Sequence, residues 1–258
     1  LNSNTIRVYI GCWDKNGISR IGWVDLDSEN PLKIKNISKN PILDIGREGC
    51  FDENGVFPGH ACVIDEKIWL YYTGFQLGDK VRHYNFGGLC KSNNGIDFSR
   101  VSEAPILDRA DEGLTVRAGQ SILKEENIFK TVYSAGSSWV SVGGKKRPCY
   151  DVFYQESFDG VSFKKEGKLI IRHDPAKEHG LGRPQLLKLN DDKYIFYTKR
   201  TLDMKYYLGC AKYNKDTNNW KRLDKEIDFS HSLNGFDSEM VYFPSVIQLK
   251  SNNRIFMF

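Results

Sequence analysis

The stretch FPGHACVIDEKIWLYYTG (57–74) decides the fold. It opens on a proline-bearing segment, runs through apolar residues, turns at Asp65-Glu66-Lys67 and leaves as a second, aromatic-rich run. Two such runs joined by a short polar turn predict a β-hairpin. The same pattern returns three times. VRAGQSILK (116–124), GRPQLLKLN (182–190) and YFPSVIQLK (242–250) match FPGHACVID (57–65), and aligning Pro58, Ala118, Pro184 and Pro244 gives steps of 60, 66 and 60 residues. IFKTVYSAG (128–136), YIFYTK (194–199) and RIFMF (254–258) match IWLYYTG (68–74). Their turns are Glu125-Glu126-Asn127, Asp191-Asp192-Lys193 and Ser251-Asn252-Asn253.

Third and fourth strands follow in the same order. GLCKSNNGIDFSRV (88–101), VFYQESFDGVSFKKE (152–166) and LGCAKYNKDTNNWKRL (208–223) turn at Asn94-Gly95, Asp159-Gly160 or Asn218-Asn219, then present Phe98, Phe163 or Trp220. Asn-Gly and Asp-Gly tolerate the positive φ of tight hairpins. The unit is a four-stranded antiparallel meander of about 60 residues, the blade of a β-propeller. IRVYIG (6–11) and RIGWVDLD (20–27) fit as second and third strands of an earlier blade. The expectation is all-β: a single domain over 1–258, a five-bladed β-propeller of four-stranded antiparallel blades. Its first blade lacks the innermost strand and its last the two outer strands, as in a chain trimmed at both ends. Unrelated hairpins in a sandwich do not predict the regular step.

The chain is 40% hydrophobic and 27% charged, the balance of a soluble globular protein. No apolar run approaches a membrane span, and Leu1 to Thr5 show no leader features. Cys12, Cys50, Cys62, Cys90, Cys149 and Cys210 form no CxxC pair, which reads as thiols in a reducing cytoplasm and no metal site. A net charge of +4 is too small to argue for nucleic acid. No Gly-rich phosphate loop, nucleophile elbow or HExxH motif occurs. The expectation is a cytoplasmic monomer with a sugar or glycan partner and no cofactor, metal, nucleic acid or membrane.

In a meander, the turns from strand 1 to 2 and from 3 to 4 share one face, and the remaining connections share the other. The connections from strand 2 to 3 read as long loops, 75–86, 134–150 and 199–206, and long loops on a rigid scaffold are where sites are built. They hold Lys80, Arg82, His83, Lys145, Lys146, Arg147, Lys199, Arg200 and Lys205, whereas the short turns are mainly acidic. The basic residues either solvate their loops or meet a phosphate or carboxylate on the substrate.

The layout, with FDENGVFPG (51–59) opening an innermost strand, resembles the glycosidase-like propeller superfamily of invertase, levansucrase, arabinanase, β-xylosidase and the mannoside phosphorylases. DKNGISRIGWVDLD (14–27), FDENGVFPG, GRP (182–184) and DSEMVYFP (237–244) resemble a branch within it. That branch occurs in bacterial surface-polysaccharide gene clusters and ahead of the transferase domain of plant glucosamine inositolphosphorylceramide transferases. The resemblance implies a carbohydrate-active enzyme of polysaccharide or glycoconjugate metabolism, acting on a glycosidic or sugar-phosphate bond. Hydrolytic members place carboxylates at the inner-strand entrances, because cleavage takes a proton donor and a second carboxylate. Here two entrances read Val116-Arg117-Ala118 and Gly182-Arg183-Pro184, which speaks against ordinary hydrolysis. The rival reading is a glycan-binding propeller that has lost its general acid.

Asp52 and Glu239 sit in the motifs most like that branch and are the candidate acid and base. Asp52 reads alternatively as a turn residue bonding its own backbone, and Glu239 as an ion-pair partner of an arginine. Glu112 and Glu178 lie six residues before Ala118 and Pro184, as Asp52 does before Pro58. Arg117 and Arg183 are the candidate anion binders, since an arginine at an inner-strand entrance needs a carboxylate or a ligand. His60, Trp139, Tyr150 and Tyr242 complete the candidate substrate-binding set; the aromatics suit sugar rings, although aromatic blade residues more often fill the core.

Overall fold

The computed structural model describes residues 4–227, 229, 231–249 and 252–258. Leu1 to Ser3 of the leader reading, Lys250 of the last inner run and Ser251 of its turn lie outside the described residues. The described residues form seventeen β-strands and no helix. The strands fall into two compact units, Leu1–Ile106 and Leu107–Phe258.

The first unit holds two antiparallel meanders. One joins β1 (Thr5–Trp13), β2 (Ser19–Asp27) and β3 (Ile34–Ile37). The other joins β4 (Val56–Ile64), β5 (Lys67–Leu77), β6 (His83–Ser92) and β7 (Ser99–Arg100). The core between them takes Ile21 and Leu43 together with Phe51, Val56, Leu70, Tyr72, Phe86 and Cys90.

The second unit holds three. β8 (Val116–Glu125), β9 (Ile128–Val142), β10 (Lys145–Ser157) and β11 (Lys168–Ile171) form one meander. β12 (Glu178–Leu189), β13 (Asp192–Thr201), β14 (Tyr206–Asn214) and β15 (Asn219–Arg222) form the next. β16 (Val246–Gln248) and β17 (Ile255–Met257) form a hairpin. Val132, Val152, Ile171, Leu181, Leu186, Ile195, Tyr197 and Ala211 fill the core between the two larger meanders. The strand order within the meanders follows the sequence repeat, but the last strand of the third is Lys168–Ile171, past the 152–166 stretch expected to hold it.

The expected long loops are mostly strand. β9 and β10 continue the hairpin to Gly143-Gly144, whose φ angles are +57° and +73°. The tight turn comes from two residues without Cβ, so Ser138, Trp139 and Arg147 sit on paired strands and are not in a loop. The other two connections shrink to 78–82 and 202–205.

β4, β8 and β12 each carry a break in register at nearly the same place. The breaks lie between Pro58 and Ala61, Ala118 and Ser121, and Gly182 and Gln185. An extra residue of this kind bends the strand and re-aims the neighbouring side chains.

The carboxylates six residues before the inner-strand landmarks form a repeated clasp. In the first unit, Tyr72 Oη (3.0 Å) and Arg100 Nε (2.9 Å) both donate to Asp52 Oδ2. In the next meander, Tyr133 Oη (2.5 Å) and Arg117 Nε (2.9 Å) both donate to Glu112 Oε1. In the one after, Arg222 donates to Glu178 through Nη2 (2.7 Å) and Nη1 (3.0 Å), while Tyr197 Oη donates to Asp224 Oδ1 (3.0 Å). Tyr72, Tyr133 and Tyr197 have no exposed surface. Burial first and the adjacent carboxylate second raise all three phenols, so each stays a hydrogen-bond donor. The clasps tie Asp52 to β5 and β7, Glu112 to β8 and β9, and Glu178 to β15.

Candidate functional site

The strand β12 supplies a floor of glycines in the second unit. Its Gly180 pairs with Arg200 of β13 on one side and with Tyr150 of β10 on the other. The Tyr150 ring lies across this floor: a Cβ on Gly180 would meet ring atom Cε2 at 2.8 Å, and one on Gly182 would meet it at 3.5 Å. Register breaks at Cys149/Asp151 and Glu178/Gly180 turn both strands here.

An arc of two arginines and four aromatics runs from this floor. The Arg200 guanidinium carbon stands 5.5 Å from the Tyr150 ring centroid and 4.7 Å from that of Tyr206. Tyr206 meets Tyr242 edge-on at 5.3 Å, and Tyr242 meets Phe243 at 4.8 Å. Phe243 in turn lies 5.3 Å from the guanidinium carbon of Arg183. Phe243 N donates to Thr198 Oγ1 (2.7 Å), which anchors the last segment to β13. Burial pushes the Tyr150 phenol up to about 12, with Arg200 opposing, and pushes Arg183 down to about 10. Arg183 remains a cation at neutral pH.

Two arginines here carry uncompensated charge. Nε of Arg200 and Nε of Arg147 are buried without a hydrogen-bond partner, and neither guanidinium has an ion-pair partner among the described residues. His179 sits beside them, with Nδ1 3.1 Å from the carbonyl oxygen of Pro148. Burial lowers the His179 pKa; the Pro148 hydrogen bond opposes this, and the charges of Arg200, Arg147 and His173 add to it. A neutral His179 thus keeps its proton on Nδ1, where the carbonyl accepts it.

Of the residues singled out from the sequence, the arc gathers Arg183, Tyr150 and Tyr242. Arg117 stands elsewhere: besides Glu112, it donates to the carbonyls of Asp108 (2.8 Å) and Lys164 (2.6 Å), so its fork is occupied by protein. Asp52 has no exposed surface and lies in its clasp, and a Cβ on Gly46 would sit 2.1 Å from its Oδ1. Its Oδ2 meets Tyr72 and Arg100 instead of its own turn. Glu239 is exposed and makes no hydrogen bond or ion pair with the described residues. Trp139 is half-buried opposite Pro148, and His60 is half-buried in the first unit, at the register break of β4. Tyr206, Phe243 and His179 are the residues here that sequence reasoning left without a site role, and Arg200 entered it only as one of a basic set. The segment 199–206 signals Arg200 and Tyr206, and the stretch 237–244 contains Phe243.

No family model matches the sequence. The chain is 26% identical over 246 residues to the uncharacterized protein Rv1502 of Mycobacterium tuberculosis, covering 95% of this chain and 81% of that one. The Bombyx mori GH32 β-fructofuranosidase BmSUC1 matches with a TM-score of 0.70 at 17% identity, over all of this chain and 52% of the enzyme. The sucrose-6-phosphate hydrolase of Lactobacillus gasseri matches with a TM-score of 0.64 at 13% identity, over 86% of this chain and 45% of the enzyme. This chain has the all-β fold of such glycosidase-like proteins. It spans about half the length of these two enzymes. Among the described residues, no helix is long and apolar enough to cross a membrane, and no group of three His, Cys, Asp or Glu is placed to hold a metal.

Proposed function

We propose that this chain is a five-bladed glycosidase-like propeller, a single domain whose arginine–aromatic arc recognises an anionic sugar of polysaccharide or glycoconjugate metabolism. The inner strands of the blades are the segments beginning at Val56, Val116, Glu178 and Val246. One observation carries the reading: Arg200 and Arg147 hold buried Nε donors that no described residue meets. A buried N–H donor of a guanidinium that meets no acceptor is costly, and a ligand oxyanion at the guanidinium offsets that cost. The aromatic rings beside it offer the apolar faces that sugar rings stack on. One fold relative is a sucrose-6-phosphate hydrolase, which by its name acts on a phosphorylated sugar. The resemblance of GRP and DSEMVYFP to that branch supports a role in bacterial polysaccharide metabolism, and six free thiols suit a reducing cytoplasm.

In the catalytic form of this reading, the enzyme acts on a glycosidic or sugar-phosphate bond, with Arg183 and Arg200 offsetting negative charge in the transition state. Glu239 is the candidate acid or base that remains open to solvent. A second reading, binding without turnover, is favoured by the enclosure of Asp52 in its clasp. A thermal-shift screen with sugar phosphates, nucleotide sugars, acidic sugars and their neutral parents tests recognition. Product analysis on the stabilising compounds, with Glu239→Gln as control, separates turnover from binding. Stabilisation by neutral sugars alone contradicts the anionic reading.

A further inference from the structure

The arc has a charge balance that selects among anions. Arg147 and Arg200 bring two positive charges with no carboxylate partner among the described residues, and the arc also holds the Arg183 cation. A carboxylated sugar brings one negative charge and leaves one arginine unmatched. A phosphomonoester above its second pKa of about 6 brings close to two.

His179 adds a proton-accepting group. It is 2% exposed, and its Nε2 has no partner among the described residues, while Nδ1 is committed to the Pro148 carbonyl. The charged groups acting on it are Arg147 from β10, Arg200 from β13 and His173 from the segment before β12. His173 Nδ1 is itself 2.6 Å from Asp151 Oδ1, and Glu178 on the same strand is bound to Arg222, so both nearby carboxylates are engaged. Burial first, with the charges of Arg200, Arg147 and His173 adding to it, lowers the His179 pKa in the free protein, and an arriving anion offsets the part that those charges contribute.

We propose that the arc is a subsite for a phosphomonoester dianion, and that His179 takes up a proton on Nε2 when the dianion binds. This rests on the anionic-sugar reading and narrows it to phosphorylated ligands. No bond of the ligand is made or broken; the new Nε2–H bond takes its proton from solvent.

The probes are methyl phosphate and acetate at matched ionic strength and pH 7.5, where methyl phosphate is already largely dianionic. Proton NMR of the His179 ring follows binding and titration together. The expected result is roughly tenfold tighter binding of methyl phosphate. His179 should also titrate at higher pH with methyl phosphate bound, a rise that Arg200→Met removes. If Arg200→Met does not fold, Arg147→Met serves as the same control. Equal affinities for the two anions, or a His179 titration that methyl phosphate leaves in place, overturn the dianion claim while leaving an anion site. If neither anion disturbs the His179 ring, the anionic-sugar reading falls as well.

Discussion

Arg183 and Phe243 hold the same place in successive repeats, one residue before Pro184 and Pro244, and both adopt positive φ, +48° and +60°. Their side chains meet, with the guanidinium carbon 5.3 Å from the ring centroid. Positive φ is disfavoured for a residue with a Cβ, costing about 1–2 kcal/mol, and such strain gathers at functional sites. Arg183 is therefore held in a conformation that its own residue type resists.

Arg183→Gly relieves that strain and the desolvation of the guanidinium, partly offset by the entropy of a glycine in the unfolded chain. Urea unfolding is expected to show a variant at least as stable as wild type, by up to about 1 kcal/mol, whereas Arg183→Ala keeps the strain and gains nothing from that term. Both variants are expected to lose affinity for anionic sugars. Loss of stability in Arg183→Gly would show that the arginine's contacts outweigh its strain.

Gly180 and Gly182 provide a graded test of the floor. The added methyl of Gly180→Ala meets the Tyr150 ring at 2.8, 2.9 and 3.0 Å, whereas that of Gly182→Ala stands at an ordinary 3.5 Å. Overpacking of the first kind costs about 1–3 kcal/mol and displaces Tyr150 from Arg200. Thermal unfolding and ligand titration are expected to penalise Gly180→Ala clearly and Gly182→Ala little.

Asp52→Ala separates clasp from catalyst. Removing the carboxylate strips Arg100 and Tyr72 of their shared acceptor, and breaking such a buried pair costs about 3–5 kcal/mol; the partial exposure of Arg100 puts the loss at the lower end. Denaturant unfolding is expected to show that loss, while anionic-sugar affinity measured under folded conditions stays the same. A variant of wild-type stability that has lost turnover would restore Asp52 as a catalytic residue.

The repeat made the strands legible because each blade reuses the same turn chemistry. Asp65-Glu66, Glu126 and Asn218 adopt positive φ at the hairpin turns that the sequence marks, and Asn190 does so one residue before the marked Asp191. The β9–β10 hairpin tip was misread because Ser137, Ser138, Gly143 and Gly144 look like loop composition, although cross-strand pairing orders them. The spacing of Asp52, Glu112 and Glu178 was visible, but their partners Arg100, Tyr133 and Arg222 are distant in sequence, so the spacing alone did not reveal a clasp. Arg117 and Arg183 align in the repeat yet differ in role. The register break falls at Arg183 itself but beyond Arg117, and a one-residue shift re-aims a side chain.

His179 gives a pH dependence whose sign follows from its burial. Its folded pKa is lowered, so between that value and the unfolded pKa of about 6.5 the unfolded chain binds more protons. Stability from this group is present above about pH 6.5 and is lost as pH falls toward the folded value. Unfolding midpoints compared at pH 7.5 and pH 5.5 are expected to drop less in His179→Gln than in wild type. Equal drops would remove His179 as a source of acid sensitivity.

The most direct test is calorimetry on wild type and Arg200→Met with an anionic sugar from the screen and its neutral parent. A buried charge-assisted contact is worth about 1.5–3 kcal/mol, roughly tenfold or more in affinity. The account predicts at least that preference for the anion in wild type, and near-equal affinities for the two sugars in Arg200→Met with the fold retained. Equal affinities in wild type, or a preference that survives in a folded Arg200→Met, would contradict it.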